Sequence, residues 1–166
     1  MTLVEGLFCA ALLPLIMGAC FTLLRTGWDS WQISSAQTGL SQGLYQGMAR
    51  MTGDLRQSGT SVISNVPADN TLHTSITFTM AQNATDLGTV WGTSVTYALG
   101  GPNGDQLIRT QNSQSQTIAA GITSLEFSRQ TAAPNVINIQ LGSSVPTYRG
   151  NEQLSSDLNI NVFLRN

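Results

Sequence analysis

The chain has 166 residues, of which 41 % are hydrophobic and only 10 % charged, with a net charge of −2 and a pI of about 5.1. Ordinary soluble domains carry about 25 % charged residues, so the polar surface here is mostly neutral. There is no lysine and the seven arginines are scattered, which excludes nucleic-acid binding as the main role, because a phosphate backbone is held by clustered cations.

Residues 1–24, MTLVEGLFCAALLPLIMGACFTLL, form an apolar run. A helix needs about 20 mostly apolar residues to cross about 30 Å of hydrocarbon, and this run is long enough. Its one ionisable side chain is Glu5. A charge at membrane depth costs roughly 2.5–3.5 kcal/mol even on the lenient insertion scale, so a carboxylate there implies a partner, and a cation from a second copy of the chain is the expected one. A signal peptide has a basic start and an apolar core of only about 7–15 residues; neither is present. A plain anchor accounts for the length of the run and leaves the acid unexplained.

The segment Met1-Thr2-Leu3-Val4-Glu5, followed by an apolar helix, resembles the mature N-terminus of type IV pilins and of type II secretion pseudopilins. Met stands here where Phe is usual. The resemblance implies a prepilin leader removed by a peptidase, methylation of the Met1 amine, and pairing of Glu5 with a neighbour's N-terminal amine. The chain starts at Met1 without a basic leader, and the expectation is a processed N-terminus. The assembly residues so implied are Met1, Thr2 and Glu5, with Pro14 as the helix breaker of the assembling segment.

Pro14 lacks a backbone donor and clashes with the carbonyl of Ala10, so a kink or local unwinding is expected between Pro14 and Gly18. The proline that many family members carry further along is missing. Cys9 and Cys20 lie eleven residues apart, about 16 Å along a helix, so they do not bridge within one chain and read as small apolar fillers. Trp28 and Trp31, beside Arg25, read as an aromatic belt at the membrane interface.

From Arg25 to Gln57 the apolar residues Ile33, Leu40, Leu44, Met48, Met51 and Leu55 recur at helical spacing and form one stripe. Gly39, Gly43 and Gly47 fall four apart on one face. Either they permit close approach of a second helix, as small residues do in membrane helix pairs, or they are glycines tolerated in a helix held by tertiary contacts. Gly59 is a C-cap candidate. The segment Met48–Gly59 also resembles the helix end of larger minor pilins and pseudopilins.

Beyond Gly59 the pattern turns to short β-rich runs: residues 61–66, 73–80, 89–99, 105–111, 117–129, 135–141 and 157–165. Gly100-Gly101-Pro102-Asn103-Gly104 reads as a hairpin connection. The expected fold class is α+β: a helix with a membrane half (1–24) and an amphipathic half (25–58) packed on an antiparallel β domain (59–166) large enough for one core. The β domain lacks the C-terminal disulfide seen in many pilins.

Motifs for chemistry are sparse. His73 is the only histidine; with Asp69 nearby it could enter a nucleophilic set, but no Gly-x-Ser-x-Gly turn accompanies it, and a structural role is expected. No cysteine or carboxylate group has metal-ligand spacing, so neither catalysis nor a metal or cofactor is expected. Asn83-Ala84-Thr85 fits an N-glycosylation triplet.

The resemblance implies a structural subunit of a pilus-like filament or fimbrium. It would be stored in the bacterial inner membrane and then assembled with copies of itself by a pilus or type II secretion machinery into a surface fibre. The alternatives are a minor subunit that primes or tips such a filament, and a monomeric membrane-anchored binding domain using loops such as 100–104 or 143–150.

Overall fold

A computed structural model describes residues 3–85, 88–147 and 153–165, apart from the side chains of Leu3, Glu5 and Cys9. Helix α1 covers Leu3–Leu55. Helical structure continues through Pro14, so of the two expected effects of the proline local unwinding is not seen in the single chain. Proline removes one backbone bond, and its neighbours Ala10, Ala11, Leu12, Leu13 and Leu15 are strong helix formers that hold the remaining ladder. The helix ends at Leu55, and Gly59 already lies in the first strand rather than capping the helix. Ser58 closes the end instead: its hydroxyl donates to the Leu55 carbonyl at 2.8 Å.

The chain divides into two compact units, Met1–Thr38 and Gly39–Asn166. In the first, the described residues are helical and almost all exposed. In the second, the helical residues Leu44, Met48, Met51 and Leu55 enter a single core with both sheets. The stripe read from the sequence is therefore buried from Leu40 onward, whereas Ile33, in the first unit, is exposed.

Eight strands follow among the described residues: β1 Ser58–Ile63, β2 Ser75–Thr85, β3 Gly88–Gly100, β4 Gln106–Gln111, β5 Gln114–Ala120, β6 Ile122–Gln130, β7 Ala133–Pro146 and β8 Gln153–Phe163. They form a five-stranded sheet in the order β1-β2-β3-β4-β5 and a three-stranded sheet β6-β7-β8, with antiparallel neighbours throughout. The β3–β4 hairpin pairs Tyr97 with Arg109 and Gly100 with Gln106. Its turn needs glycine, because Gly101 and Gly104 have φ of 86° and 72°, where a Cβ is strained.

The expected strand 117–129 is two strands in different sheets. Gly121, at φ 75°, breaks it, and Ile122 N–H turns back to the Asp105 carbonyl at 2.9 Å. Residues 143–146, read as loop, continue β7, and 148–150 lie outside the described residues. Two isolated bridges tie residues flanking the strands to the other sheet: His73, ahead of β2, with Phe127 of β6, and Arg165, after β8, with Gly59 of β1. Phe78, Tyr97 and Phe127 are fully buried between the layers, each contributing on the order of 1.5–3 kcal/mol. The Phe78 and Tyr97 rings stack with centroids 6.2 Å apart.

Candidate functional site

The N-terminal stretch of α1 is long and apolar enough to cross a membrane, and none of that window is buried. Leu7, Phe8, Leu15, Phe21 and Leu24 are among the side chains left in the open, with Leu24 73 % exposed. Solvent-facing apolar surface on this scale marks a surface made to meet lipid or protein. Two of its hydroxyls bond back to the helix: Thr22 Oγ1 donates to the Ala19 carbonyl at 2.8 Å and Thr26 Oγ1 to that of Thr22 at 2.9 Å. Such back-bonding satisfies a polar group where water is absent.

At the end of the apolar run, Trp28 and Trp31 lie one turn apart with ring centroids 5.5 Å apart. With Leu23 and Leu24 they line a shallow dip floored by Gly27. Amphipathic rings just after the apolar run, with Arg25 beside them, suit the headgroup layer of a bilayer. Of the residues expected to act in assembly, Met1, Thr2 and the side chain of Glu5 lie outside the described residues, and Pro14 lies within the exposed helix.

In the second unit, a buried polar cluster ties the helix to the five-stranded sheet. Asp54 Oδ2 accepts from Tyr97 Oη and from Arg109 Nε, each at 2.7 Å, while Arg50 Nε lies 3.7 Å from Oδ1. Asp54 and Arg109 are both nearly buried. Burial pushes the Tyr97 phenol well above its usual range, and the hydrogen bond to Asp54 and the Asp54 charge push it further. Burial alone would lower the Arg109 guanidinium, but Asp54 outweighs it and the group is raised. A permanently charged guanidinium satisfied by a carboxylate anchors two elements and has no reactive group to offer. The cluster's only signal in the sequence is a charged residue on each inward-facing row: Asp54 between Met51 and Leu55, Arg109 two residues from Leu107.

Gly47 has a packing reason. A Cβ there would lie 2.9 Å from Leu107 Cδ2, and at Gly43 one would lie 3.4 Å from the Ala120 carbonyl oxygen, whereas Gly39 and Gly53 face open space. The row is thus pressed tightly at Gly47 alone, against β4 rather than against a second helix, and Gly43 makes an ordinary contact.

His73 and Asp69 do come together, with Thr71 between them. The Thr71 hydroxyl donates to Asp69 Oδ1 at 2.6 Å and lies 2.8 Å from His73 Nε2, and the Thr71 backbone N–H also reaches Asp69 at 2.9 Å. These Thr71 bonds, side chain first, hold the Asp69 carboxyl below the usual range. With its proton committed to Asp69, the hydroxyl accepts from His73, the reverse of a histidine activating a nucleophile. The arrangement fastens a loop. Among the described residues no three His, Cys, Asp or Glu side chains gather as a metal site would require. Asn83 of the glycosylation triplet is exposed on β2. Arg109 and Arg129 are buried; Arg129 bonds the carbonyls of Pro134 and Thr60.

No family model, curated protein or solved structure matches this chain.

Proposed function

We propose that the protein is a filament subunit of the type IV pilin-like class, held in the bacterial inner membrane by the N-terminal stretch of α1 and then drawn into a helical fibre in which those stretches form the core. The observation that carries this reading is the exposed apolar helix surface combined with a single carboxylate, Glu5, near its start. Lipid covers that surface before assembly, and neighbouring helices cover it afterwards. The exchange from lipid to protein gains little from hydrophobicity itself, so close packing and a specific polar contact must set the register. Glu5 supplies the contact by pairing with the Met1 amine of the next copy.

The low charge also supports this reading. A dense array of identical copies carrying few like charges repels itself weakly, and a freely diffusing protein lacks the solubility that charge confers. A principal subunit is favoured for that reason over a priming or tip component. In a host with a pilus-type machinery, the Glu5→Ala chain should insert in the membrane and yield no fibres by negative-stain microscopy of sheared surface material. Wild-type material that stays as monomers would favour the anchored binding domain instead. Intact-mass measurement should find the Met1 amine methylated.

A further inference from the structure

The outer face of the three-stranded sheet has no role in the reading above, yet it carries the most exposed large apolar side chain among the described residues of the β-rich unit. Phe163 is 68 % exposed on β8, a regular strand whose alternate residues Leu158 and Val162 pack inward. Asn159 and Asn161 therefore share the outer face with the Phe163 ring. An aromatic ring fixed on a strand, with two torsions, offers a flat contact at low entropic cost.

The amides beside it hold one another. Asn138 Nδ2 donates to Asn159 Oδ1 at 2.7 Å and to Asn161 Oδ1 at 2.9 Å, and Gln140 Nε2 donates to Asn138 Oδ1 at 3.3 Å. That pattern leaves the Asn159 and Asn161 NH₂ groups as outward donors and Gln140 Oε1 as an outward acceptor. The carboxylates follow in register: Glu126 is paired with Gln140, and Asp157 with Gly142. The outer-face positions of these paired strands, as described, carry no arginine.

We infer that this face is a binding site for a neutral polysaccharide. The apolar C–H face of a pyranose covers the Phe163 ring, and its hydroxyls, each both donor and acceptor, meet the fixed donors and acceptors beyond it. Phe163 and Asn159 are four residues apart, about 13 Å on a strand, the length of about two or three pyranose rings. Glu126 and Asp157 weigh against polyanions such as nucleic acid or uronic-acid polymers along the amide row, and the described arginine nearest Phe163 in sequence, Arg165, lies two residues beyond it, outside β8. A flat array of pre-held amides suits an extended chain better than a small molecule, which needs a concave pocket.

The test uses the full chain in lipid nanodiscs, free of sugar-based detergent, and does not require fibres, so it stands or falls separately from the filament reading. Retention is measured on microcrystalline cellulose and on chitin, with calorimetry against cellohexaose and with polygalacturonate as the anionic control. Retention on at least one neutral polymer is expected, with at least tenfold weaker binding for Phe163→Ala and for the Asn159→Ala/Asn161→Ala pair. Phe163→Trp should bind as well as the parent, and Val90→Ala, an exposed site on β3 of the other sheet, should change nothing. No retention of the parent chain on either neutral polymer would overturn the proposal, as would equal binding by polygalacturonate. So would undiminished binding by both the Phe163 and the paired asparagine variants.

Discussion

Removing the Asp54 carboxylate tests what holds the helix on the sheet. In Asp54→Ala, the Arg109 guanidinium stays charged and loses the partner that satisfies it at 2.7 Å, and the Tyr97 hydroxyl loses its acceptor at the same distance. Breaking a buried pair on one side costs about 3–5 kcal/mol, and an orphaned buried hydroxyl costs about 1–3 more. These penalties overlap because both groups relax into the same space. A loss of about 4 kcal/mol is therefore expected, comparable with the whole stability margin of many domains. The assay is urea unfolding of the full chain in nanodiscs, followed by far-ultraviolet circular dichroism, a signal that every variant retains. The control swaps the whole cluster: Asp54→Leu, Arg109→Met and Tyr97→Phe together leave no buried polar orphan, and should return to within about 1 kcal/mol of the parent. A loss below about 1 kcal/mol for Asp54→Ala, or a triple variant as unstable as the single one, would refute the reasoning.

Two further predictions concern the same unit. The Tyr97 phenol is raised in the folded state, so its protonated form favours folding; that contribution is complete below the ordinary tyrosine value near 10 and is lost as pH rises beyond it. Unfolding midpoints should thus fall above about pH 10, and a tyrosinate absorbance titration should show Tyr97 ionising only as the fold opens. Gly53→Ala faces open space and should stabilise by about 0.8–1 kcal/mol through helix propensity. Gly47→Ala should gain less than this, because its methyl would sit 2.9 Å from Leu107 Cδ2 and push that side chain aside; denaturant midpoints of the two variants compare them directly.

The parts of the fold legible in the sequence were those with a local period or a local turn. The Leu40-to-Leu55 stripe marked a buried helical face because 3.6-residue spacing needs no partner to be visible. The β3–β4 hairpin showed itself through the glycines of its turn. Gly121 was passed over because one glycine between two β-rich runs looks like a bulge; only the shift in burial parity, from Ala119 to Ile122 to Leu125, records the change of sheet. Gly59 looks like a cap in the sequence for a related reason. Its role is to let the Trp91 ring approach, a contact across the sheet that no short window contains. Asp54, Tyr97 and Arg109 are far apart along the chain and meet only after the sheet has formed. Conversely, the candidate assembly residues rest on the sequence alone, since Met1, Thr2 and the Glu5 side chain lie outside the described residues.

The central claim is that the Glu5 carboxylate is neutralised by the N-terminal amine of an adjacent copy. A filament map at side-chain resolution tests it most directly. The account predicts the Met1 nitrogen of a neighbour within about 4 Å of the Glu5 carboxylate, the range of an ion pair. A Glu5 side chain facing water, or one with no positive group beside it, would contradict it.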